Sequence, residues 1–145
     1  MNDRYLFRGK RKDNGKWVYG GIYYQKADEV KEEAVYIIGA SLNDVGAAYE
    51  VISETVGQCT GLKDKNGKLI FEGDTLESRA SENKEDWERW IVAFFDGSFC
   101  FERDIPKKRK HKHEQNLLCV DEIELYGLTV IGNIHDNPEL LEAHK

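Results

Sequence analysis

Apolar residues along this chain recur mostly at every second position, or gather in short runs closed by Gly, Asn and Asp, which is the pattern of β-strands rather than of long amphipathic helices. Asn14-Gly15, Asn66-Gly67 and Asp96-Gly97 each stand between two such segments, and these pairs tolerate the positive φ angles of tight hairpin turns. Three hairpins are therefore predicted. The first has arms at residues 4–11 and 16–25, the second arm carrying Trp17, Tyr19 and Tyr23 among β-favouring neighbours. Further strands are expected at 35–38 and 49–53. Between them, 41–44 offers the cap of one helical turn, which Gly46 opposes.

The hairpin at Asp96-Gly97 fixes its own register. A two-residue loop places Phe95 opposite Ser98, so Phe94 faces Phe99, Ala93 faces Cys100 and Val92 faces Phe101. One face then collects Trp90, Val92, Phe94, Phe99 and Phe101, and the other Ile91, Ala93, Phe95 and Cys100. Both faces are apolar, so the whole ribbon is expected inside, at the centre of the core. Residues 104–116 hold Pro106 and few apolar side chains, and are expected as a long exposed loop. Strands resume at 117–120 and 127–134, giving five short strands between 69 and 134. Asn137-Pro138-Glu139 predicts a short C-terminal helix of about two turns, with Asn137 as its cap and Leu140 or Leu141 docked on the sheet.

The fold class is thus all-β, with one short C-terminal helix. A chain of 145 residues forms one domain or two small lobes. The expected division is an N-terminal β lobe at 1–62 and a C-terminal barrel at 63–145, unless 1–145 is one continuous domain. No internal repeat or low-complexity linker is evident. With 40% hydrophobic and 33% charged residues and a net charge of −6, the chain is a packed protein rather than a disordered one. Cys59, Cys100 and Cys119 are odd in number and widely spaced, which fits a reducing compartment and no disulfide framework. The first twelve residues lack a signal-peptide core, and the longest run without charge, 125–135, is too short to span a bilayer. Neither secretion nor membrane insertion is expected.

The main charge feature is the run 107–113, in which Lys107, Lys108, Arg109, Lys110 and Lys112 carry five positive charges and no acid intervenes. A second basic segment at 4–16 contains Arg8, Lys10 and Arg11. Such stretches contact phosphate backbones or acidic partners. The remainder of the chain, at −11 once those five charges are set aside, opposes long-range attraction to nucleic acid. His111 and His113 lack a nearby carboxylate or thiolate at metal-ligand spacing, so no metal site is expected. His135-Asp136 lies at a strand end, where a structural role is expected, and no nucleophile motif accompanies it. Glu72-Gly73-Asp74 is expected to turn one strand into the next, and 64–67 to form a hairpin turn with exposed charge. No phosphate-binding loop, dinucleotide fingerprint or C-x-x-C occurs, so no catalytic residue and no cofactor is assigned.

A longer pattern runs through these segments: Val56-Gly57-Gln58-Cys59-Thr60-Gly61-Leu62-Lys63-Asp64-Lys65-Asn66-Gly67, continuing to Ile70-Phe71-Glu72-Gly73-Asp74. With Phe7-Arg8-Gly9-Lys10 and Gly15-Lys16-Trp17-Val18-Tyr19-Gly20 at the start, and Val130-Ile131-Gly132-Asn133-Ile134-His135-Asp136-Asn137-Pro138 near the end, it resembles the YopX-like proteins, small products of bacteriophages and prophages. Cys59 stands where an aromatic residue is common, and the loops at 78–86 and from 107 fall where length varies. The resemblance implies an SH3-like barrel for the C-terminal part, a phage or prophage origin and a bacterial cytoplasm. It implies no activity. The expected function is a non-enzymatic protein-binding or assembly module, with self-association as one form of it. The alternative is a nucleic-acid accessory protein using 4–16 and 107–113; a hydrolase built on Glu72 and Asp74 lacks a nucleophile or metal set.

Overall fold

Strands β1 (Phe7–Lys10) and β2 (Trp17–Gln25) pair antiparallel around the turn at Asn14-Gly15, where the Arg11 amide donates to the Lys16 carbonyl at 2.9 Å and Gly15 takes a φ of 70°. The coordinates are a computed structural model, which describes residues 2–43, 45–79, 81–84, 87–104, 117–118 and 127–141. The lysine-rich run, with Lys107, Lys108, Arg109, Lys110 and Lys112, lies outside the described residues, as do Cys119 and the loop around it. The chain divides into two units, Met1–Gly61 and Leu62–Lys145.

In the first unit β3 (Ala34–Gly39) and β4 (Ala48–Val51) continue the meander, a 3₁₀ turn at Ser53–Thr55 reverses the chain, and β5 (Gly57–Lys63) pairs back on β1. The order is β4-β3-β2-β1-β5. The far end of β1 also reaches β4: the Ile52 amide donates to the Lys10 carbonyl at 2.8 Å and the Lys12 amide to that of Glu50 at 3.0 Å. The sheet therefore curls until its first and fourth strands meet, which satisfies edge groups that would otherwise invite another strand. Val18, Ile37 and Val51 fill the interior, with Phe7, Val35, Tyr49 and Val56 packed on them. Two glycines permit this curvature: a Cβ on Gly9 would lie 2.9 Å from Val51, and one on Gly20 would run into the Ile38 carbonyl. Residues 41–43 are a plain turn rather than the start of a helical one, and the strand expected at 49–53 stops at Val51, where the 3₁₀ turn takes over.

The second unit begins on the last residues of β5, which hairpin through Asn66-Gly67 into β6 (Leu69–Phe71). Strands β7 (Asp74–Ser78), β8 (Glu88–Phe95), β9 (Ser98–Arg103) and β10 (Leu117–Leu118) form a second meander, and β11 (Thr129–Asn133) returns to pair antiparallel with β7. Among the described residues six strands stand where five were expected. The order is β10-β9-β8-β7-β11, so each unit is a four-stranded meander whose fifth strand returns beside its first. The two units repeat one topology without a repeat in their sequences.

The β8–β9 register matches the count from the turn, from Val92↔Phe101 to Phe95↔Ser98. Asp96 and Gly97 both have positive φ, 50° and 80°, as a type I′ turn requires. The expected burial of the whole ribbon is correct only for its base. Trp90, Val92 and Phe101 pack with Ile70, Leu76 and Leu128 in the core, while Phe94 and Phe95 are 54% and 66% exposed. Strand length explains the difference. On one side β7 pairs only as far as Ile91, and on the other β10 covers only Phe101 and Glu102, so the tip runs past both neighbours.

The C-terminal helix is a correction too. After β11 the described residues hold one 3₁₀ turn, Pro138–Leu140, and Asn137 does not cap it through its side chain. Instead its Oδ1 accepts the Asn133 amide at 3.3 Å, beside the β-bulge between Val130 and Gly132 in β11. Leu141 is fully buried as expected, and the Arg89 guanidinium donates to the Leu140 carbonyl, fixing this segment to the sheet. Arg89 is held in turn by the buried Glu77 carboxylate at 3.2 Å, which also takes Arg79 at 2.9 Å.

Candidate binding surface

Alternation along β2 sends Val18 inward and Trp17, Tyr19, Gly21 and Tyr23 outward. In the pairing with β3, Gly21 lies opposite Ile38 and Tyr23 opposite Tyr36, and the Ala40 amide donates to the Tyr19 carbonyl at 3.1 Å. The outward face is thus a slot. Its floor is Gly21 and Ile38, one wall is Tyr19, and the other is Tyr23 with Tyr36, whose rings are 6.1 Å apart. At about 3.3 Å per residue the walls stand roughly 13 Å apart at Cα. Tyr19 is 42% and Tyr23 55% exposed, and a Cβ on Gly21 would meet nothing within 4 Å.

At one end the slot runs on to Trp17. Arg8 and Lys10 alternate onto the same face of β1, and the Arg8 guanidinium lies 4.7 Å and the Lys10 ammonium 5.8 Å from the Trp17 ring centroid. Arg8 is buried. Arg11 is turned to the other face, 4.2 Å over the Tyr49 ring, and its guanidinium pairs with Asp13 at 2.5 Å. Lys12 pairs with Glu50 at 2.6 Å, a contact that raises its pKa above the ordinary lysine value. The structure therefore brings Arg8 and Lys10 together around one indole and separates Arg11 from them.

At the other end lies the β2–β3 loop. Asp28 accepts the amides of Val30 at 2.9 Å and Lys31 at 2.7 Å, and these N–H groups hold its carboxyl below the ordinary aspartate value. The Tyr24 hydroxyl donates to the Glu33 carboxylate, which pushes the phenol's pKa up.

The carboxylates singled out in the sequence serve the backbone. Asp74 is buried and accepts the Phe71 amide at 2.8 Å, closing the Glu72-Gly73 turn, where Gly73 has a φ of 87°. Asp64 corrects an expectation, since its charge is not exposed: it is 7% exposed and accepts the amides of Asn66 at 2.8 Å, Lys68 at 2.9 Å and Val130 at 3.0 Å. Burial alone would raise its pKa; the amides of Val130, Lys68 and Asn66, helped by the Lys68 charge, outweigh burial and hold it below the ordinary value. Asn133 organises the turn that carries His135 and Asp136, its Oδ1 taking both of their amides at 3.0 and 2.9 Å. Cys59 is buried, and its sulfur accepts the Gly61 amide at 3.5 Å. Among the described residues no three His, Cys, Asp or Glu side chains are grouped to hold a metal ion, and no helix is long and apolar enough to cross a membrane.

Gly21, Ile38 and Tyr36 were not marked by the sequence reading, although strict alternation from Trp17 to Tyr23 was a usable signal. In the sequence alone the aromatic residues read as strand formers.

Two antiparallel sheets, one bearing an outward tyrosine slot and the other a strapped-down C-terminal segment, define a mainly β protein. The family model described as YopX protein matches residues 6–142, and the chain belongs to that family. Among solved structures it is similar to protein EF1440 from Enterococcus faecalis, with 28% identity, 94% of this chain and 96% of that one covered, and a TM-score of 0.55. It is also similar to protein yopX from Bacillus subtilis, with 22% identity, 98% of each chain covered and a TM-score of 0.52. Neither name states an activity. No curated protein matches the chain significantly.

Proposed function

We propose that this chain is a non-enzymatic protein-binding or assembly module that takes its partner on the outward face of β2 and β3. The observation that carries this reading is the slot itself: exposed tyrosines on either side of a glycine floor with open space above it. Tyrosine brings large contact area at low conformational cost, and aromatic-walled grooves commonly receive extended peptide segments. The strand order in each unit supports an SH3-like roll, a fold whose uses are set by its surface rather than its core. On the family resemblance, the setting is a bacterial cytoplasm and the origin a phage or prophage.

Nucleic acid is the less favoured partner. Of the six cations at 4–16, Arg11 is paired with Asp13, Lys12 with Glu50, and Arg8 is buried against Trp17, so half of that segment's charge is engaged within its own chain. The test places a photo-crosslinking amino acid at Tyr19 or Tyr23 in cells making the full chain. Discrete protein adducts are expected, and Gly21→Thr, which fills the slot, should abolish them. Crosslinks to nucleic acid, or adducts indifferent to Gly21→Thr, would overturn the reading.

A further inference from the structure

The tyrosine slot ends at an acidic loop. Residues 26–33 contain Asp28, Glu29, Glu32 and Glu33 against Lys26 and Lys31, a net charge of 2 − 4 = −2, and all of them are exposed. The loop is shaped rather than slack, because Asp28 ties down its tip and Glu33 takes the Tyr24 hydroxyl. Aromatic faces leading to carboxylates suit one class of ligand, an extended cation-rich segment. Ring faces attract ammonium and guanidinium groups, their methylene stems cover the rings, and the carboxylates meet the charge.

The chain carries such a segment. In the run at 107–113, Lys108, Lys110 and Lys112 recur at every second residue. Laid out as an extended strand, they fall on one side with a repeat of about 6.6 Å, the same repeat as Tyr19, Gly21 and Tyr23. The run supplies five positive charges to a chain of net −6, leaving −11 on the remainder, so the body of one copy attracts the run of another.

Resting on the binding-module reading above, we propose that the partner is a second copy of this chain, whose Lys108, Lys110 and Lys112 lie along the slot and against the exposed loop carboxylates of Glu29 and Glu32. The pairing joins the most basic stretch of the sequence to an aromatic slot of equal spacing whose loop end carries the opposite charge. Because the contacts are largely between exposed charges, association is strongest at low salt and weakens as the Debye length shrinks.

The test is sedimentation velocity on the full chain, with circular dichroism to verify folding of each variant. The wild type should associate at low salt and lose about tenfold or more in affinity by roughly 0.5 M salt. Two reversals are made: Glu29→Lys with Glu32→Lys, and Lys108→Glu with Lys110→Glu and Lys112→Glu. Each alone should be monomeric, and an equal mixture should associate again, because the intact run of the first variant meets the intact loop of the second. Gly21→Thr, a substitution into open space, should also give monomers. A wild type monomeric throughout, reversals that still associate alone, or a mixture that stays monomeric would overturn the proposal. Should the wild type prove monomeric while Tyr19 still crosslinks another protein in a manner blocked by Gly21→Thr, the choice of partner fails and the binding-module reading stands; without either result both fail.

Discussion

Asp64→Ala should destabilise the C-terminal unit by about 3 kcal/mol. The carboxylate holds three backbone amides from two places in the chain: those of Asn66 and Lys68 in the β5–β6 turn, and that of Val130 on β11. A hydrogen bond to a charged group contributes about 1.5–3 kcal/mol net. Asn66 and Lys68 are exposed, so water replaces much of what they lose; Val130 is half-buried, so its amide bears the larger penalty. With a urea slope of about 2 kcal/mol/M, 3 kcal/mol moves the unfolding midpoint down by about 1.5 M. Asp64→Asn is the informative companion. Its single carbonyl oxygen can still serve the turn, but its amide nitrogen then faces the Val130 N–H as donor against donor, and about 1–2 kcal/mol should go.

The charge also makes a pH prediction. Because the folded pKa of Asp64 lies below its ordinary value of 3.8, the unfolded chain takes up this proton first as pH falls. The stabilisation is fully present above the unfolded value and disappears as pH drops through the folded one. The stability gap between wild type and Asp64→Asn should therefore be flat near neutrality and shrink below about pH 4. Urea titrations at several pH values, followed by the amide signal of Val130, read both effects. An Asp64→Ala variant within about 0.5 kcal/mol of wild type, or a gap unchanged down to about pH 2, would refute the reasoning.

The remaining predictions concern the sheets and their ends. Gly21→Thr should leave the fold intact and raise its stability by about 0.5–1 kcal/mol, because an open strand position gains a β-branched residue; thermal melting checks this apart from any binding. Phe101→Ala, at a fully buried site, should cost about 3–5 kcal/mol, whereas Phe95→Ser at the exposed tip should change stability by less than about 0.5 kcal/mol. Leu141→Ala should cost about 2–4 kcal/mol and free the Pro138–Leu140 segment, seen as faster amide exchange at Leu140, whose N–H is held by the Asn137 carbonyl at 3.1 Å.

Local rules made the legible parts legible. The Asp96-Gly97 register followed from two residues because a two-residue loop leaves no freedom in the count. Burial of the same ribbon did not follow, since exposure of Phe94 and Phe95 depends on where β7 and β10 stop, and nothing within 90–101 records the length of a neighbouring strand. Asp64 failed for a related reason. A turn aspartate reads as exposed until an amide from Val130, 66 residues away, arrives to cover it. Asn137 carried every local mark of a helix cap, and the bulge in β11 claimed its side chain first. The slot was half legible: alternation places Trp17, Tyr19 and Tyr23 on one face, but only the pairing with β3 brings in Tyr36 and Ile38.

The stretch that carries the family resemblance, 56–74, is occupied with holding backbone. Asp64 ties a hairpin to a distant strand, Gly67 and Gly73 take left-handed conformations, and Asp74 closes the turn before β7. Residues so committed have few polar atoms left with which to meet a substrate or partner, so a shared pattern of this kind transmits a shape. The outward face of β2 is under the opposite condition. There Val18 must fill the core, while strand propensity gives Gly21 no reason to sit in mid-strand at a position with open space. A glycine that costs strand stability and relieves no close contact points to something outside the fold that needs the room, which is why the slot, rather than the motif, is where specificity should be sought.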